Sequence, residues 1–306
     1  MSTPEAFLQA IREQPYDDAP RLIFADWLEE RGDPRGEFVR LQCQRIRLAG
    51  HDPSRAAAML EEEKRLLNQY AGLWLGPIRG HGISWEFRRG LLHLGVEAET
   101  FLALDWPELT QTQTWEWVEA MRIRLRGRVG IQALADSPLL ACLPAIDLSD
   151  NDLEDEGVAI LAVSPHLGRL RSLGLGFNKI GPAGAAVLAQ SPHLPRLGAL
   201  NLYDNHLGDE GLAALAASPH LNELATLRLP WNYIGPSGAT ELAHRGGLQG
   251  LTTLSMGNNT IGDLGAGSLA RSPGFPRLRT LYLYENGVGA AAGAALRRRF
   301  GDRVYV

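Results

Sequence analysis

Three columns of side chains recur at a spacing of 27 residues in the second half of this sequence, and their types define the chemistry open to them. The first runs Asp147, Gly174, Asn201, Arg228, Ser255 and Tyr282. The second runs Ser149, Gly176, Tyr203, Pro230, Gly257 and Tyr284, and the third Asp150, Phe177, Asp204, Trp231, Asn258 and Glu285. Tyr, Trp and Arg are the side chains that most often dominate binding energy between proteins. Phe177, Tyr203, Asp204, Arg228, Trp231, Tyr233, Tyr282, Tyr284 and Glu285 are therefore the candidate partner-binding residues. Arg228 and Trp231 are central, and the glycines at 174, 176 and 257 leave hollows beside them. The competing reading of Phe177 and Trp231 is structural: each would cover the end of a strand.

Other clusters point to weaker chemistry. Arg122, Arg124, Arg126 and Arg128 form a local basic ladder that can bind an anion or be neutralised by Asp147 in the next repeat. His166, His193 and His220 recur every 27 residues, yet no carboxylate or cysteine column accompanies them to complete a metal site. No nucleophile and base are paired, and no phosphate loop or paired-acid motif occurs, so no catalytic residue is assigned and no cofactor is expected.

The elements that must position these columns follow from the same period. Leu143 to Asn151, Leu170 to Asn178, Leu197 to Asn205, Leu224 to Asn232, Leu251 to Asn259 and Leu278 to Asn286 follow Leu-x-x-Leu-x-Leu-x-x-Asn, with Ile146 and Met256 each in place of a leucine. Within each, alternation makes a short strand with its leucines inward and the column residues outward. Leu161, Leu188, Leu215, Leu242 and Leu269 then mark a short helix, and Pro165, Pro192, Pro219 and Pro273 stop it. A unit this short cannot bury its own apolar face, so neighbours must stack. Asn151, Asn178, Asn205, Asn232, Asn259 and Asn286 are read as a structural column that bonds backbone groups in the turns. The sequon Asn258-Asn259-Thr260 falls on this column and is given no meaning as a glycosylation site.

This pattern is that of the leucine-rich repeat, and its length and helical half resemble the ribonuclease-inhibitor-like subclass. The resemblance implies an α/β solenoid with parallel strands on a concave face and helices on the convex one. The basic reading of the domains is an all-α helical cap over 1–76, a transition with degenerate repeats over 77–142, and six regular repeats with a C-terminal cap over 143–306.

In the cap, Thr3 before Pro4 and Glu5 is expected to N-cap a first helix, with further helices over about 18–31, 36–49 and 54–74. Leu22, Ile23, Ala25, Trp27 and Leu28 supply the apolar side of the second, and Glu61 to Arg65 of the fourth face water. Ile83, Trp85 and Phe87, then Leu92, Leu94 and Val96, alternate on either side of Arg88-Arg89-Gly90 and predict two strands joined by a turn. The run from Asp17 to Gln42, centred on Ala25-Asp26-Trp27-Leu28-Glu29-Glu30, resembles the repeat-companion domain found at the N-terminus of many planctomycete proteins. That resemblance implies a bacterial origin and carries no activity. Arg21, Asp26, Trp27, Glu37 and Gln42 match its pattern. They are read either as a docking site or as core and local salt bridges that hold the helices together.

Composition narrows the class. The chain has 306 residues and a formal net charge of −5. Residues 1–76 carry 10 basic and 13 acidic side chains, and residues 143–306 carry 13 and 14, so neither half is polarised toward nucleic acid. Cys43 and Cys142 lack metal-ligand spacing, and the start lacks a basic segment followed by an apolar run, which together suggest a reduced, cytoplasmic monomer with no membrane contact. The expected function is a non-catalytic interaction module that binds a protein or peptide. An enzyme regulator of GTPase-activating or inhibitor type, and a structural spacer, are the alternatives.

Overall fold

The computed structural model describes residues 3–14, 17–125, 127–245 and 247–306. The chain divides into two compact units, 1–122 and 123–306.

The N-terminal unit begins with four helices, α1 (Pro4–Glu13), α2 (Ala19–Glu29), α3 (Arg35–Leu48) and α4 (Pro53–Leu75). A hairpin of β1 (Ser84–Arg88) and β2 (Leu91–Glu97) follows, then α5 (Ala98–Ala103), α6 (Trp106–Thr110) and β3 (Val118–Arg124), which runs across the boundary of the two units. Phe24 stacks between Phe7 and Trp117, and Phe38 packs on Trp74 and Phe87. Pro4 opens α1, but Thr3 makes no side-chain cap. Its hydroxyl instead serves Glu5, whose carboxyl is held below its ordinary value chiefly by that hydrogen bond.

Two further expectations need correcting here. Ile23 is 58% exposed and does not join the apolar side of α2, which Phe24, Ala25 and Leu28 supply. Glu63 does not face water: it is buried, because Arg45 and Gln42 both donate to its carboxylate. The two strands expected on either side of Arg88-Arg89-Gly90 pair as β1 and β2, and Trp85, on the edge strand β1, is exposed.

Among the described residues of this unit three polar side chains are buried: Arg21, Gln42 and Glu63. The Arg21 guanidinium bonds Glu119, which also takes His93 Nε2 at 3.0 Å. Burial works to raise the Glu119 carboxyl, but the His93 hydrogen bond and the Arg21 charge outweigh it and hold it below its ordinary value. Gln42 Nε2 donates to Phe87 O at 3.1 Å, and Gln42 Oε1 accepts Gly90 N–H at 2.8 Å. Gly90 has φ +84 and sits so close to Val39 that an added Cβ would lie 2.2 Å from Cγ2. Only glycine fits there.

The C-terminal unit is a leucine-rich repeat solenoid. Its helices are α7 (Gly127–Ala135), α8 (Glu154–Ala162), α9 (Pro182–Gln190), α10 (Gly208–Ala216), α11 (Pro236–Arg245), α12 (Gly262–Arg271) and α13 (Ala290–Phe300). Its strands are β4 (Ala145–Asp147), β5 (Ser172–Gly174), β6 (Ala199–Asn201), β7 (Thr226–Arg228), β8 (Thr253–Ser255), β9 (Thr280–Tyr282) and β10 (Val304–Tyr305). Strands β4 to β10 pair in parallel and in sequence order, each residue of β4 to β8 opposite the one 27 positions on. Successive helices pack side by side. Between them lies a continuous layer of buried leucine, isoleucine and alanine. No helix among the described residues is long and apolar enough to cross a membrane.

Three hydrogen-bonded ladders lock one repeat to the next. The asparagines are all buried. Asn205 Nδ2 donates to Leu175 O at 2.9 Å and Leu202 O at 3.0 Å, while its Oδ1 accepts Asn178 N–H at 3.1 Å and Ile180 N–H at 2.9 Å. Asn178 and Asn259 repeat both halves of this pattern. Buried serines form the second ladder: Ser164, Ser191, Ser218 and Ser272 each donate to an alanine carbonyl of the preceding repeat. The third has a period of two repeats. Asp155, Asp209 and Asp263 accept the N–H of Gly181, Gly235 and Gly289 at 2.6, 2.6 and 2.7 Å, where the next helix begins. A carboxylate at a helix N-terminus is favoured by the unpaired N–H groups there.

Candidate partner-binding surface

The register places the first column across the sheet in one row, with Asp147, Gly174, Asn201, Arg228, Ser255 and Tyr282 each opposite the next. Arg228 is exposed, and its guanidinium makes no hydrogen bond or ion pair among the described residues. Its neighbours in the row, Asn201 and Ser255, are uncharged. Ser255 is buried, so the row dips between Arg228 and Tyr282. Adjacent strands lie about 4.8 Å apart, which puts Arg228 and Tyr282 about 10 Å apart along the sheet.

In the second column Tyr284 lies over Gly257: a Cβ there would fall 2.3 Å from the Tyr284 ring. Any larger residue at 257 would displace that ring. Tyr203 packs against Phe177 with ring centroids 5.0 Å apart. Gly174 plays a similar part for Asp147, whose carboxylate leans over it. Asp147 Oδ1 accepts the N–H and hydroxyl of Ser149. Arg126 lies outside the described residues, as does the side chain of Arg128.

The third column has a backbone feature in common. Asp150, Phe177, Asp204, Trp231, Asn258 and Glu285 all have φ between +50 and +62. This left-handed conformation costs an L-residue about 1–2 kcal/mol, and Asn or Asp tolerate it best. Asp150, Asp204 and Asn258 meet that preference. Phe177 and Trp231 do not, and each is 51% exposed. Tyr233 also has positive φ, is 73% exposed and packs against His206 at 5.6 Å.

Of the nine candidate binding residues, the structure brings Phe177 to Tyr203 and sets Arg228 and Trp231 in one repeat. Tyr282 stacks on Tyr305, with centroids 4.9 Å apart and planes 11° from parallel. Tyr305 is half exposed and extends the aromatic surface by one strand. Sequence reasoning missed it because it follows Tyr282 by 23 residues, out of the 27-residue register. Asp204 is half-buried and Glu285 exposed on the same column. Among the described residues no group of three His, Cys, Asp or Glu side chains could hold a metal ion.

Comparison with known proteins bears on the repeats. A family model described as Leucine Rich repeat matches residues 141–162, 170–189, 196–216 and 249–270. Among solved structures the chain is similar to an internalin (inlF) from Listeria monocytogenes str. 4b F2365, with 21% identity, 61% of this chain and 47% of that one covered, and a TM-score of 0.38. It is also similar to a TDR receptor, with 17% identity, 66% and 40% coverage and a TM-score of 0.33. A third likeness is to the plant peptide hormone receptor RGFR1 in complex with RGF2, with 14% identity, 60% and 43% coverage and a TM-score of 0.19. This chain thus spans less than half the length of each of these solved chains. No curated protein matches the sequence.

Proposed function

We propose, taking the leucine-rich repeat solenoid of the C-terminal unit as the premise, that this protein is a non-catalytic interaction module. It binds a protein or peptide through the face its strands present to solvent. The observation that carries this reading is Arg228, an exposed guanidinium with no partner among the described residues, set in the same repeat as the strained and exposed Trp231. A partner that places a carboxylate or carbonyl on Arg228 and an apolar side chain against Trp231 would use both groups at once. Tyr203, Tyr282 and Tyr284 then extend the contact to either side. The same reading takes the repeats as ribonuclease-inhibitor-like and the N-terminal helices as the repeat-companion domain of planctomycete proteins.

The test is a pull-down from lysate of the source cell, comparing wild type with an Arg228→Ala, Trp231→Asn double variant whose fold is checked by circular dichroism. A protein retained by the wild type and lost by the variant supports the strand face as the site. Equal retention by both sinks it.

A further inference from the structure

Phe177, Asp204 and Trp231 occupy one position in three consecutive repeats, each immediately before its repeat's buried asparagine. Their backbones are tied in register: Phe177 N–H donates to Tyr203 O at 2.9 Å, Asp204 N–H to Pro230 O at 2.9 Å and Trp231 N–H to Gly257 O at 3.2 Å. With φ of +56, +50 and +58 they share one backbone conformation. One carboxylate therefore stands in the row between two aromatic side chains that are each 51% exposed. The Phe177 ring leans on Tyr203, the residue next to Asp204, and widens the aromatic wall on that side.

Asp204 lacks a counter-charge. Its carboxylate is half-buried and makes no hydrogen bond or ion pair among the described residues. Lys179 and Arg228, in the repeats before and after, do not serve it: Lys179 pairs with Asp152 at 2.7 Å, and no ion pair joins Arg228 to Asp204 among the described residues. Across the three outward columns the charges are Asp147, Asp150, Asp204 and Glu285 against Arg228. Residues 143–306 as a whole are nearly balanced, with 13 basic and 14 acidic side chains, so the acidic bias belongs to this face.

We infer that this row takes an arginine side chain of an extended peptide. An aromatic face attracts a cation within about 6 Å of the ring centroid, and a guanidinium stacks on aromatic rings while donating to a carboxylate. Its methylene stem is apolar and its head charged, so one arginine meets Trp231 and Asp204 together. A purely apolar side chain would leave the carboxylate unpaired, and an acidic one would be repelled. The column also sets a spacing. Asp150 stands two repeats before Asp204, exposed and likewise unpaired among the described residues, which puts the two carboxylates roughly 10 Å apart. A polyproline II peptide repeats each face every third residue, about 9 Å along its axis, so arginines three apart match both. This inference rests on the strand face being the binding surface and names the chemistry of what that surface takes.

Fluorescence anisotropy of a labelled peptide containing Arg-Pro-Pro-Arg, titrated with the full chain, tests it against the same peptide with both arginines replaced by glutamine. The arginine peptide is expected to bind saturably, and the glutamine peptide at least tenfold more weakly. Asp204→Asn is expected to weaken the arginine peptide about tenfold, the loss of one charge-assisted hydrogen bond. That variant keeps the fold, because asparagine tolerates left-handed backbone and the carboxylate bonds nothing among the described residues. Glu210→Gln removes the same charge from the exposed side of α10 in the same repeat and is expected to leave the affinity unchanged. Absence of saturation by the arginine peptide, equal affinity in wild type and Asp204→Asn, or an equal loss in Glu210→Gln overturns the inference. Asp204→Asn in the pull-down separates the two readings. A strand-face partner that it retains in full overturns the arginine site alone, whereas equal retention by the Arg228→Ala, Trp231→Asn variant sinks both.

Discussion

The two units solve the same problem, satisfying buried polar groups, in opposite ways. In the repeats a few neutral residue types do it many times over: each buried asparagine of the column bonds backbone of its own and adjacent repeats, and Ser164, Ser191, Ser218 and Ser272 each reach the repeat before. In the N-terminal unit single, unrepeated side chains do it, two of them charged. Repetition makes each bond short-ranged and cheap to specify, since one solution recurs. The outward columns are then released from any structural duty, and that is where Arg228 and the aromatics sit. Without repetition, every buried polar residue must be matched by its own partner.

Several substitutions would break or sharpen this contrast. The largest effect is expected from Arg21→Met, which strands the largely buried Glu119 and should destabilise the protein by about 3 kcal/mol or more in denaturant unfolding. Adding Glu119→Gln should recover part of that loss, because the stranded charge is then gone. A single Arg21→Met variant as stable as wild type would show that the buried pair does no structural work.

Asn205→Ala comes next. It orphans the N–H groups of Asn178 and Ile180 and should cost about 2–3 kcal/mol by the same measurement, with no second substitution in a neighbouring repeat able to restore it. Rescue from a neighbouring repeat would mean that the ladder is less local than the hydrogen bonds imply.

The smallest effect is expected at Trp231→Asn, which replaces a bulky residue in left-handed backbone by one that tolerates it. Stability should rise, or stay within about 0.5 kcal/mol of wild type, since relieved strain offsets the lost half-buried ring. A loss well beyond that would make Trp231 a cover for the strand end.

Much of the repeat unit was legible because its signal is redundant. Leu200, Leu202 and Asn205 recur with their neighbours at one spacing, and the register of β5 with β6 and β6 with β7 follows that spacing. The two-repeat period was equally present, as Asp155, Asp209 and Asp263 followed by Gly181, Gly235 and Gly289, but it is visible only when alternate repeats are compared. In the N-terminal unit the helical pattern was legible and the partners were not. Glu63 sits in a run of charged residues, Glu61 to Arg65, that reads as solvated, yet it is buried because Arg45, one helix away, reaches it. Arg21 and Glu119 are separated by 98 residues, and nothing local in either segment names the other.

What the sequence alone determined is therefore the periodic part: the strand and helix of each repeat, the stacking that an apolar face demands, and the membership of the outward columns. These follow from short-range rules of spacing and burial that hold wherever the pattern recurs. Tertiary structure decided the rest: that Phe177 and Trp231 occupy left-handed backbone, that Tyr284 lies over Gly257, that Tyr305 joins Tyr282, and that Arg21 meets Glu119, Gln42 meets Phe87 and Gly90, and Glu63 meets Arg45. Each of these depends on where distant side chains meet in space, and a buried charge takes its meaning from the partner it finds there.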